Sequence, residues 1–136
     1  MALYILAKNS VAAATSYVLG PLLIFPPLVL LLNGFMAGYV GALAADKYPL
    51  AFAVGILAPH GIFELPALIF ACSAGLRLGL GVGKKVIRSL NHEQYSLTTD
   101  FMSSWGLLML ALMLLVIAAV METYISPWVG MQLILH

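Results

Sequence analysis

Four polar side chains interrupt stretches otherwise apolar enough for a lipid bilayer: Asn33, His60, Glu64 and Glu122. His60 and Glu64 are four residues apart, which on a helix puts them on one face a turn from each other. Ionisable groups inside lipid are costly, so each marks a candidate functional position. One histidine with two carboxylates, His60, Glu64 and Glu122, can ligate a divalent metal or relay protons. Hydrolysis by a metal-activated water with a carboxylate base is a more distant option. The run His60-Gly61-Ile62-Phe63-Glu64 supplies one of the two histidines of a His-Glu-x-x-His zinc helix. The others, His92 and His136, fall in a polar stretch and at the terminus. The plainest reading is an interhelical hydrogen-bond network. No catalytic residue, resident metal or cofactor is assigned, and the chain is not expected to be an enzyme.

The elements that must position these residues are membrane helices. Of 136 residues, 63% are hydrophobic and 8% charged, whereas soluble domains run to roughly half apolar and a quarter charged. One small all-α membrane domain spanning residues 1–136 is expected. A net charge of +1 gives no reason to expect a nucleic-acid partner, which calls for clustered Lys and Arg. The expected partners are the lipid bilayer itself and other membrane proteins or further copies of the chain. Cys72 is the sole cysteine, which excludes an intramolecular disulfide and reads as a small buried residue. Lys8 lies inside the first apolar stretch, not ahead of it as in a signal peptide, so a retained helix is expected there.

Four hydrophobic segments follow in order, at about 2–19, 22–45, 50–83 and 104–125, with a polar loop at 84–101. Gly20-Pro21 ends the first, and Pro26-Pro27 predicts a kink or a late start in the second. The third would stretch to about 50 Å as one helix, against a hydrocarbon core of about 30 Å. Pro59 and Gly61 are therefore expected to break it, and the freed backbone groups must then face protein. Thr98, Thr99 and Ser103 are the candidate caps of the fourth segment, which Ser126-Pro127 should close. Gly34 and Gly38, and then Gly75, Gly79 and Gly83, recur at four-residue spacing, a pattern that lets helix backbones approach closely in lipid. Arg77 is expected to snorkel to an interface. Lys84, Lys85 and Arg88 form the sole basic cluster, which places the 84–101 loop in the cytoplasm of a multi-pass cell-membrane protein, with both termini outside.

Three blocks carry a family likeness: Leu32-Asn33-Gly34-Phe35-Met36-Ala37-Gly38, Pro59-His60-Gly61-Ile62-Phe63-Glu64-Leu65-Pro66-Ala67, and Ala118-Ala119-Val120-Met121-Glu122-Thr123-Tyr124-Ile125-Ser126-Pro127. On them the chain resembles the stage II sporulation protein M family of small integral membrane proteins. The resemblance implies a polytopic protein. In spore formers, members of the family work with extracytoplasmic cell-wall hydrolases and act as the membrane scaffold, not the enzyme. Members usually carry a further N-terminal hydrophobic segment and an extracytoplasmic stretch, so this chain is expected to be a short member. The function expected is a non-catalytic membrane subunit or scaffold. The alternative is a transport component, either a permease subunit or an ion- or proton-binding carrier using His60, Glu64 and Glu122.

Overall fold

The structure, a computed structural model, describes the backbone of residues 2–134 and the side chains of 3, 4, 6–49, 54 and 61–124. Its elements are α1 (Ala2–Val18), a 3-10 turn (Gly20–Leu22), α2 (Phe25–Lys47), α3 (Leu50–Leu90) and α4 (Thr98–Ile134), with no strand among the described residues. The all-α membrane architecture is thus the one found. Among the described residues three stretches are long and apolar enough to cross a bilayer: Phe25–Lys47, Gly61–Leu90 and Thr98–Tyr124. Helix α1, at 17 residues, is shorter than these and packs against both α3 and α4.

The turn between α1 and α2 is tight because Leu23 takes a left-handed conformation, φ 47°. Pro26 then sits in the first turn of α2, where its missing N–H costs no helix bond. It is buried against the bundle.

The third segment differs from expectation. Pro59 and Gly61 do not divide it: α3 is one helix of 41 residues. Proline deletes a single donor, and membrane helices accommodate that loss locally. Glycine costs only about 1 kcal/mol in helix propensity. Neither outweighs the intrahelical bonds on either side. At 1.5 Å per residue α3 measures about 61 Å, so it must outrun the hydrocarbon.

The polar connection is also shorter than 84–101. Helix α3 continues through Lys84, Lys85 and Arg88 to Leu90, and α4 starts at Thr98 instead of near Ser104. Basic residues favour a helix C-terminus, and Asp100 in the first turn of α4 favours its N-terminus. The Ser96 hydroxyl accepts the Thr98 N–H at 3.4 Å. The left-handed His92, φ 58°, turns the chain between them. At its far end α4 runs past Ser126-Pro127 to Ile134.

The core is made mostly of alanine. Ala13, Ala67, Ala71, Ala74 and Ala111 are buried around Tyr17, Leu108 and Leu115. Small side chains let three helix axes approach closely, which is how packing is gained where lipid supplies no hydrophobic drive between helices. Cys72 is buried and free, a small core residue.

Candidate functional site

The bundle is held in register by glycines. A side-chain carbon on Gly75 would strike the Ser16 carbonyl and stand 3.0 Å from Pro26. One on Gly79 would strike the Gly20 carbonyl and lie 2.7 Å from the Leu23 side chain, and one on Gly20 would meet the Gly75 backbone. The contact advances in the same direction along both elements, so α1 and α3 run parallel there. The rest of the row behaves differently: nothing lies within 4 Å of a carbon placed on Gly83, Gly34, Gly38 or Gly61. Gly20, which reads in sequence only as half of a turn dipeptide, is the partner that Gly75 and Gly79 seat.

With this register, polar groups from three helices meet at one cavity of about 280 Å³. Lys8 of α1, Asn33 of α2 and Glu64 of α3 line it, among Met36, Val40, Leu65 and Leu68. Counted from the 3-10 turn at 1.5 Å per residue, Asn33, Lys8 and Glu64 lie about 12, 18 and 22 Å along their helices. Each distance is shorter than the roughly 30 Å thickness of a hydrocarbon core. Asn33 donates one amide hydrogen back to the Val29 carbonyl at 2.8 Å, and the rest of its amide is left to the cavity. The volume is large enough for several waters or a small ligand.

Asn33 and Glu64 are thus brought together. Glu122 sits half-buried on α4 and is not among the cavity-lining residues. Glu64 and Glu122 are both engaged by partners. The side chain of His60 lies outside the described ones, as do those of Pro59 and of Ile125 onward. Among the described residues no three His, Cys, Asp or Glu side chains group as metal ligands. Lys8 is the member that sequence reasoning passed over. By position in the first apolar stretch it argues against a signal peptide, and a lone lysine in an apolar run is itself a candidate intramembrane charge.

A second polar layer ties α1 to α4. The Ser104 hydroxyl donates to the Phe101 carbonyl at 2.8 Å, so its contact with Tyr17 at 3.2 Å has the phenol as donor. Trp105 meets Tyr17 edge-on at 6.1 Å and stacks on Phe101 at 6.2 Å.

At the α3–α4 connection, Arg77 does more than snorkel: its Nε stands 3.9 Å from Asp100. Asp100 also accepts the Tyr95 hydroxyl and nests against Gly81, where a side-chain carbon would come within 2.9 Å of it. Gly81 lies outside the four-residue glycine row, which is why the spacing did not single it out. Arg88 pairs with Glu93 at 3.9 Å and lies 5.0 Å over the Tyr95 ring. The hydrogen bond to Asp100, with lesser help from burial, holds the Tyr95 phenol above its ordinary range. A raised phenol pKa means that the contact is intact at neutral pH and is lost only in strongly alkaline solution.

The family model of stage II sporulation protein M matches residues 1–127. Two uncharacterized proteins of Methanocaldococcus jannaschii are similar. One is 30% identical over 107 residues, covering 77% of this chain and 58% of its own. The other is 27% identical over 119 residues, covering 88% of this chain and 52% of its own. The chain therefore spans about half the length of the curated relatives it matches. No solved structure matches it. The chain belongs to the stage II sporulation protein M family.

Proposed function

We propose that this member of the stage II sporulation protein M family is a non-catalytic subunit of the cell membrane that holds partner proteins there. The observation that carries the reading is the state of α2. An 18-residue apolar window of this spanning helix contains no buried residue. A carbon placed on Gly34 or Gly38 would meet nothing within 4 Å, and Leu31, Phe35 and Tyr39 beside them are exposed. Small residues a turn apart on an uncovered membrane helix offer a second helix a place for close backbone approach. The occupant is another membrane protein or a second copy of the chain.

The test separates this face from the internal glycines. The first side-chain carbon of Gly34→Leu and Gly38→Leu meets nothing within 4 Å, so the fold should persist while copurified partners fall by about tenfold, the loss of roughly 1.4 kcal/mol. Undiminished copurification from a folded double variant would sink the scaffold reading.

The cavity of Lys8, Asn33 and Glu64 favours a second reading, a transport component. Its signature would be proton- or ion-driven flux in liposomes that His60→Gln abolishes with assembly unchanged. The amide keeps hydrogen bonding but has no charge to titrate near neutral pH.

The orientation proposed has the α3–α4 connection in the cytoplasm, because Lys84, Lys85 and Arg88 end α3 and basic flanks stay inside. Single cysteines at 91–97 in a Cys72→Ser background should react with an impermeant maleimide only in inverted vesicles or lysed cells. Labelling from outside intact cells would reverse the topology.

A further inference from the structure

We infer that the face of α3 carrying Arg77 and Lys84 is a binding site for the headgroup phosphate of an anionic phospholipid. The level of this face in the membrane follows from the fold. The 3-10 turn at Gly20–Leu22 is where α1 hands over to the spanning helix α2, so it marks the edge of the hydrocarbon. That turn lies against Gly75 and Gly79. Arg77 is therefore at the edge, and Lys84 stands about 7.5 Å beyond Gly79, in the headgroup layer. The two cations are seven residues apart, on one side of the helix and about 10 Å from each other.

The surface between them is shaped for an amphiphile. A groove of about 430 Å³ is lined by Ser73, Leu76, Arg77, Leu80, Lys84 and Asp100. Leu80 is exposed at the hydrocarbon edge, where an acyl chain would lie, while the cations stand at the depth of a phosphate. The charge balance points the same way. Asp100 is taken up by Arg77 and the Tyr95 hydroxyl, and Glu93 by Arg88. Lys84 is exposed and has no carboxylate within ion-pair range among the described residues. It is the uncompensated charge of this face. A zwitterionic lipid brings its own cation to the phosphate, so the preference is for lipids of net negative charge. Basic pockets between membrane helices on the cytoplasmic side are suited to such headgroups.

The experiment uses the full chain in nanodiscs of equal parts phosphatidylcholine and phosphatidylglycerol, with retained lipids counted by native mass spectrometry. Phosphatidylglycerol should be enriched, and Lys84→Gln should lower that enrichment about five-fold, the contribution of one interfacial cation. Lys84 makes no ion pair among the described residues, so this variant leaves the Arg77–Asp100 contact and the fold in place. Lys85→Gln, one position round the helix, should lower the enrichment less. Equal retention of both lipids by the native chain, no change in Lys84→Gln, or an equal loss in Lys85→Gln would each overturn the site. Displacement of the lipid by millimolar inorganic phosphate would overturn the lipid as its ligand and leave a plain phosphate site.

Discussion

Replacing Gly79 by leucine is expected to leave no folded protein, whereas alanine at Gly83, one turn further along the same row, should be silent. A carbon on Gly79 would run into the backbone carbonyl of Gly20. Backbone cannot rotate aside as a side chain can, so α1 and its turn would have to separate from α3. Even Gly79→Ala should cost about 2 kcal/mol, within the range for overpacking a tight core, out of a total of about 5–15 kcal/mol for a typical domain. Leucine adds three more carbons to the same clash. A carbon on Gly83 would meet nothing within 4 Å, so Gly83→Ala should stay within about 0.5 kcal/mol of the parent, as open surface positions do. Unfolding in mixed micelles, followed by circular dichroism, reads both. A Gly79→Leu chain that unfolds like the parent would mean that the α1–α3 contact does not hold the bundle together. The same comparison separates internal packing from assembly, because Gly34 and Gly38 face open space and can be filled without this penalty.

How much of this was legible in the sequence depends on which interaction decided each feature. Apolar run length is a one-body property, so the all-α membrane class could be read directly. The late start of α2 at Phe25 follows from Pro26 and Pro27 alone. Where a decision depended on the neighbourhood, local signals misled. Pro59 and Gly61 are strong breakers in isolation, yet α3 passes through them. Lys84–Leu90 looks like loop by polarity, yet basic residues at the end of an existing helix extend it. Glycine spacing announced close approach but not its partner, and Gly20 carries no pattern that would name it as the surface seated by Gly75 and Gly79. Arg77 and Asp100 lie in different segments, so only the α3–α4 hairpin shows that they pair. Asn33 and Glu64 were singled out as intramembrane polar residues. That Lys8 joins them at one cavity needed the parallel register of α1 on α3.

That cavity carries the second large expected effect. Lys8→Leu and Glu64→Leu should each destabilise the bundle by about 2 kcal/mol, because a leucine in place of either leaves the remaining polar groups of the cavity one partner fewer. Both charges line the 280 Å³ space, with no direct ion pair between them among the described residues. Coupling across the cavity should therefore be smaller than for a contact pair. Glu64 is engaged by a partner besides, so the double variant should fall short of the parent. The expected result is nonetheless non-additive: the double variant loses at least about 1 kcal/mol less than the two single losses combined, as for residues sharing one network. Steric trapping or denaturant titration in bicelles supplies the four stabilities of the cycle. Strict additivity would mean that Lys8 and Glu64 do not sense each other, and the cavity would then be a packing gap, not a site. If the double variant is stable and still assembles, the pair is not needed to hold the fold. Charges that cost free energy in lipid and do not hold the fold belong to whatever the cavity binds or passes, and flux measured on that variant then decides between the scaffold and the transporter.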